Sequence, residues 1–246
     1  MLLLCHFSSA KIRQDKRGGY IEFLSKIQSG IDSILHPAFC ALCGEYHESP
    51  SYWICSSCWT KICSETETPE PQFISNADDV IPAFAGWYFH SEIQHLIHCI
   101  KYNKHHTVGK IVGQQLALRI ASRIDLSSID YLVPVPLHKK REKERGFNQS
   151  HFISVGLKKA HRKLKILPAL RRIKYTEAQV SLNSEQRRQN VAGAFTLNQR
   201  SLSCLQGASV AIVDDVMTTG STALACAALL HQTKVKNIVI ITIACA

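Results

Sequence analysis

Two short stretches of the chain carry residue types that do chemistry. Val210-Ala211-Ile212-Val213 is an apolar run, followed at once by Asp214 and Asp215, and then by Val216-Met217-Thr218-Thr219-Gly220-Ser221-Thr222. Consecutive apolar residues read as a buried strand. That places the two acids at its carboxyl end and the hydroxyl-rich loop at the start of the next helix. In an open α/β sheet, ligands bind outside the carboxyl ends of the strands. A helix N-terminus there offers unpaired N–H groups and a positive dipole end, which suits a phosphate. Gly220 lets the backbone approach closely, and Thr218, Thr219, Ser221 and Thr222 add hydroxyl donors. Asp214 and Asp215 would accept from two ribose hydroxyls or help hold Mg²⁺. The plainer alternative is a capping segment after an ordinary strand. A Walker loop is excluded, because no Gly-Lys-Ser/Thr follows a strand.

The second stretch holds two Cys-x-x-Cys pairs, Cys40/Cys43 and Cys55/Cys58. Each pair places two thiolates on one tight turn, and two such turns facing each other complete a tetrahedral Zn²⁺ site. Gly44 supplies the backbone freedom the first turn needs. Cys63 is a spare ligand, and the alternative is a set of buried free thiols. A closed four-thiolate site leaves no position for substrate, so the metal is expected to be structural. A redox role is disfavoured, since neither pair reads as opening a helix after a core strand. Cys99, Cys204, Cys226 and Cys245 are expected in the core.

Charge is uneven. Of 29 Lys and Arg, 12 fall between Lys139 and Arg172 against two acids, so that segment carries +10 and the remainder balances. A local field of this kind attracts phosphates, nucleic acid or acidic partners. The alternative is a solvated helix face of one sign. Lys158, Lys159, Arg162, Lys163 and Lys165 follow one another on a helix and its exit, too many for one phosphate pocket. They are the candidate contacts to single-stranded DNA. Few aromatics accompany them (Phe147, Phe152, Tyr175), which weakens base stacking as a source of affinity.

The elements that must position these groups follow from hydrophobic periodicity. Strands are expected over Val80–Tyr88, Tyr131–Leu137, Ser209–Val213 and Asn237–Ile243. Helices are expected over Ile27–Leu35, Glu92–Tyr102, Val108–Ile124, Phe147–Lys163 and Ser221–Leu230. The strand–helix–strand run at the end of the chain is a βαβ unit and implies a parallel sheet. Residues 171–191 read as a polar loop or hairpin, and the acidic, Pro-containing run Ser64–Pro71 as a linker. Three regions result: 1–36, an extension with a short helix; 37–63, the cysteine ribbon with its own core; and 78–246, the α/β domain. With 46% hydrophobic and 20% charged residues the chain is globular in composition. No apolar run is long enough for membrane insertion. The leucines after Met1 have no preceding basic segment, so a cytoplasmic location is expected.

The segment Val210–Thr222 resembles the phosphoribosyl-pyrophosphate (PRPP) motif of type I phosphoribosyltransferases. Val133-Pro134-Val135-Pro136-Leu137-His138, followed by Arg145-Gly146-Phe147-Asn148-Gln149, resembles the signature of the ComF family (ComFC/GntX). Lys101-Tyr102, Thr176 with Gln179, and Arg187-Arg188-Gln189-Asn190-Val191 are similar to that family as well, and so is the cysteine pair, as its N-terminal zinc ribbon. Ser221 stands where the family more often has Ala. The resemblance runs from about Ile27 to Cys245.

It implies a type I phosphoribosyltransferase-like parallel sheet with helices on both faces, plus a small zinc ribbon. It assigns Asp214 and Asp215 as catalytic acids and Thr218–Thr222 as the phosphate loop. Lys139, Lys140, Arg141 and Arg145, on the loop after Tyr131–Leu137, would face a pyrophosphate, and Arg187 and Arg188 resemble a hood that closes over such sites. Mg²⁺ would accompany the pyrophosphate. Family members are associated with natural transformation and the use of imported DNA, with the competence machinery as partner. The resemblance therefore implies a PRPP-binding protein that handles single-stranded DNA. An active phosphoribosyltransferase and a non-catalytic PRPP or nucleotide sensor are the alternatives.

Overall fold

The computed structural model describes residues 39–47, 54–64, 67–75, 80–102, 106–175 and 191–246. The helix expected over Ile27–Leu35 and the arginines Arg187 and Arg188 lie outside these.

Apolar strands of the kind expected build the centre. Strand β2 (Val80–Tyr88), β3 (Tyr131–Pro134), β7 (Ser209–Met217) and β8 (Asn237–Cys245) lie in one six-stranded sheet. It is completed by β1 (Gln72–Ser75) and β4 (Lys165–Ile166), in the order β1-β2-β8-β7-β3-β4. All neighbours are parallel except β1, which runs antiparallel to β2. The chain is thus α/β with a mostly parallel sheet. A parallel sheet needs both faces covered. Helices α1 (Ser56–Ser64), α2 (Ser91–Tyr102), α3 (His106–Ile120) and α5 (Gln149–Ala160) supply one cluster of apolar side chains, and α7 (Ser221–His231) supplies another. A short ribbon, β5 (Leu170–Arg172) against β6 (Phe195–Leu197), stands apart from the main sheet.

Helix α3 packs on α5 through glycines. A Cβ on Gly113 would fall 3.0 Å from the Gly156 Cα and closer still to the Ile153 carbonyl, so the two backbones touch with no side chain between them. No helix among the described residues is long and apolar enough to cross a membrane.

Three expectations are corrected. The basic residues Lys139–Arg145 are a helix (α4), not a loop. Their sequence has no apolar period, and the caps hold the turn: His138 Nδ1 accepts from the Lys140 N–H, and Gly146 closes the helix at φ +83°. The cysteine region does not have a separate core. Cys40, Ile54 and Ile62 belong to the cluster containing Trp87, Leu96 and Leu116. The Trp87 indole donates to the Ile62 carbonyl at 3.1 Å, and Arg119 donates to the Cys63 carbonyl at 3.1 Å. Two of the last carbonyls of α1 are therefore satisfied by the main sheet and its helix. Finally, Cys204 is exposed, whereas Cys99, Cys226 and Cys245 are buried as expected. The remaining short helix, α6 (Leu202–Leu205), leads into β7.

Candidate functional site

Strand β7 extends past its apolar run to Met217, so Asp214 and Asp215 are strand residues near its carboxyl end, not loop residues beyond it. Successive strand residues face opposite sides. Asp214 follows Ile212 on the α7 face. Asp215 follows Val213 on the face of α2, α3 and α5, where the Lys101 ammonium lies 2.8 Å from its Oδ2. Lys101 lies in the last turn of α2, more than a hundred residues earlier.

Two donors hold Asp214. Its Oδ1 accepts from the Asp215 N–H at 2.9 Å and from Ser150 Oγ at 3.0 Å. Its carboxyl group is packed apart from the side that opens to the pocket. That burial, reinforced by the neighbouring Asp215 charge, pushes its pKa up to about 7, against the pull of the Asp215 N–H, Lys101 and Ser150. Ser150 is in place because Asn148 caps α5: Asn148 Oδ1 accepts from the Ser150 N–H, and its amide donates to the Val135 carbonyl at 3.0 Å. Arg145 donates to Gln149 Oε1 at 2.9 Å. The stretch Arg145–Gln149 is thus the turn that sets α5 beside Asp214.

After β7 the chain turns through Thr218 and Thr219 to Gly220, whose φ is +70°, and enters α7. That left-handed conformation favours glycine. Thr219 and Ser221 share a hydroxyl hydrogen bond of 2.7 Å. A pocket opens over this turn, lined by Asp214, Thr218–Thr222 and, from β8, Ile240 and Thr242. No Lys or Arg is among its described lining residues. Backbone N–H groups and hydroxyls are what it offers an anion.

The basic residues fall into two groups. Those of α4 lie at the carboxyl side of β3. Lys140 and Arg141 sit over the Tyr175 ring at 4.7 and 5.7 Å, and Arg145 sits over Tyr102 at 5.3 Å. Arg172 joins them: burial and Arg141 lower its pKa, while Asp214 raises it. Lys158, Lys159, Arg162, Lys163 and Lys165 are all exposed, at the far end of α5 and the start of β4. Lys165 pairs with Tyr131, the first residue of β3, so the group lies toward the amino ends of the strands and the pocket lies at their carboxyl ends.

Cys40, Cys43, Cys55 and Cys58 have their sulfurs within 4.8 Å of one another, and Cys63 is not in the group. Cys43 and Cys55 Sγ are 3.8 Å apart, close to the roughly 3.8 Å edge of a tetrahedron with Zn–S bonds of about 2.3 Å. The N–H groups of Leu42 and Cys55 point at Cys40 Sγ, and that of Cys58 at Cys55 Sγ. Against the effect of burial, such N–H groups draw Cys40 down to about 7. Burial and the adjacent thiols push Cys58 well up. Four crowded thiols resist ionising together unless a cation joins them, so the donor set fits a structural zinc ion. The second pair does open a helix, since Cys58 lies in the first turn of α1.

Sequence reasoning missed three site residues: Ser150, Thr242 and the pairing role of Lys101. A hydroxyl directly after the Asn-Gln of the turn was the available signal for Ser150.

No family model matches the chain. Among curated proteins, competence protein F of Haemophilus influenzae is 36% identical over 124 residues, covering 50% of this chain and 54% of that protein. DNA utilization protein YhgH of Escherichia coli is 32% identical over 138 residues, covering 55% and 59%. Both are homologues of this chain. The resemblance to the ComF family read from the sequence is borne out by them, and the chain spans little more than half the length of each. Among solved structures, a hypoxanthine phosphoribosyltransferase from Staphylococcus aureus aligns at 15% identity with a TM-score of 0.33, covering 56% of this chain and 62% of that one.

Proposed function

We propose that this chain binds PRPP or a related ribose 5-phosphate ligand at the turn between β7 and α7, and serves the handling of single-stranded DNA in natural transformation or DNA utilisation. One observation carries the ligand: a single pocket combines Asp214, the left-handed Gly220 and the open N-terminus of α7. Backbone N–H groups and the hydroxyls of Thr218–Thr222 suit the 5-phosphate, and Asp214 suits a ribose hydroxyl, while Asp215, which is not in the pocket lining and pairs with Lys101 on the other face, holds the strand in place. Mg²⁺ would join the pyrophosphate of PRPP, facing the cations of α4.

The DNA role rests on the names borne by the homologues and on the exposed group Lys158, Lys159, Arg162, Lys163 and Lys165. Its place toward the amino ends of the strands leaves the pocket at their carboxyl ends free for the smaller ligand. Calorimetry of the purified protein with PRPP and, side by side, with oligo-dT tests both halves. Saturable heat is expected in each titration. No heat with PRPP removes the ribose 5-phosphate site. Pyrophosphate release in the presence of an acceptor would instead place the protein among working transferases.

A further inference from the structure

The pocket contains one group that its fold leaves unexplained. Thr242 is only 2% exposed, and its hydroxyl has no hydrogen-bond partner among the described residues. A buried hydroxyl without a partner is costly and uncommon in a folded protein. Thr242 also stands at a particular place. It is the register partner of Asp214 across the β7–β8 pair, and with Ile240 it lines the pocket over the Thr218–Thr222 turn.

Period two along β8 sends Ile238, Ile240 and Thr242 to the α7 face. The two apolar members do what such a strand requires, packing into the cluster under α7. The third position could have been Val at no loss of packing or of β propensity. A hydroxyl there lowers stability unless something else uses it. The lining offers an anion no cation, so each neutral donor weighs more in holding one.

We infer that Thr242 is a ligand-binding residue: its hydroxyl donates to a phosphoryl oxygen of the ribose 5-phosphate, from the strand side, opposite the N–H groups of the Thr218–Thr222 turn. This rests on the proposed function above and adds a residue from a different strand to that site. The phosphate is then held between α7 and the sheet floor, and a ligand without the phosphoryl group leaves Thr242 unsatisfied. The unmet hydroxyl of the free protein is the pre-set half of a hydrogen bond that the ligand completes.

The test is titration of wild type, Thr242→Val, Thr242→Ala and Thr242→Ser with ribose 5-phosphate, together with thermal melts of each free protein. Thr242→Val is expected to bind about tenfold more weakly, as loss of one hydrogen bond to a charged group implies. Its free form is expected to melt no lower than wild type, because a buried unpaired hydroxyl has been replaced by a methyl. Thr242→Ser restores the hydroxyl and is expected within about threefold of wild type. Thr242→Ala removes the hydroxyl without adding bulk, and serves if the valine variant misfolds. A wild type that binds ribose 5-phosphate while the valine and alanine variants bind equally well overturns the role of Thr242 alone. A wild type that binds neither ribose 5-phosphate nor PRPP overturns the site itself.

Discussion

Lys101 and Asp215 meet at 2.8 Å across the sheet face, tying the end of α2 to the strand that carries the acid pair. Asp215 is almost wholly buried, and Lys101 is its charged partner. Removing one member of such a pair strands the other in low dielectric. Lys101→Met is therefore expected to destabilise the fold by about 3 kcal/mol, the low end for a buried pair because the lysine side chain is a quarter exposed. Lys101→Met with Asp215→Asn should recover much of that loss. Denaturant melts of the two single variants and the double variant measure the coupling, and strict additivity would show that the contact contributes nothing.

Asp214 gives the protein a pH dependence of definite sign. Its carboxyl is raised to about 7 in the folded chain, chiefly by burial and then by Asp215. The folded state therefore holds a proton that the unfolded state has released. Stability from this group is full below the ordinary carboxylate range near pH 4 and is lost as pH rises through about 7. Wild type should melt lower at about pH 8 than at about pH 5, and Asp214→Asn should flatten that difference. A wild-type profile that rises across this range would contradict the assignment.

Asp214 should also matter for ligand. Asp214→Asn keeps size and shape while removing the acceptor charge that the pocket offers a ribose hydroxyl, and it leaves the buried Lys101–Asp215 pair intact. PRPP affinity is expected to fall by about tenfold or more with a native circular dichroism spectrum. Unchanged affinity would show that Asp214 does not touch the ribose.

Metal removal should be felt throughout the main domain. Because Cys40, Ile54 and Ile62 share a core with Trp87, stripping zinc is expected to lower the melting temperature of a single cooperative transition. It should also change the fluorescence of Trp87, whose indole holds the Ile62 carbonyl. Metal analysis should find one zinc per chain on Cys40, Cys43, Cys55 and Cys58. Protein purified without chelator and free of zinc would refute this.

Salt should separate the two proposed ligands. DNA held by Lys158, Lys159, Arg162, Lys163 and Lys165 should weaken steeply with salt, by a log–log slope of roughly 0.7 per phosphate neutralised. Reversing the five charges should abolish oligo-dT binding and leave PRPP binding intact. Equal oligo-dT affinity of the reversed and wild-type proteins would remove DNA from this surface.

Strands β2, β3, β7 and β8 and helices α2, α3, α5 and α7 were legible because each buries a regular apolar face. Strand β1 was not, since four residues after a Pro-rich acidic run carry too little pattern. Helix α4 was hidden because its stability comes from His138 and Gly146 at its ends. The shared core of the cysteine region was also hidden, because contacts such as Trp87 to Ile62 join residues whose relation only the fold defines. The same limit applies to the site. Asp214–Thr222 is contiguous and was read directly, while Lys101, Ser150 and Thr242 come from three other elements.

The bare contact of Gly113 with Gly156 makes α5 a lever with a fixed fulcrum. Its twelve residues span about 18 Å, with Ser150 on Asp214 at one tip and Lys158 and Lys159 at the other. A single methyl group at the fulcrum would act as a wedge and swing both tips together. The alignment of Asp214 is thus vulnerable to a change of one carbon atom at a position that touches neither proposed ligand.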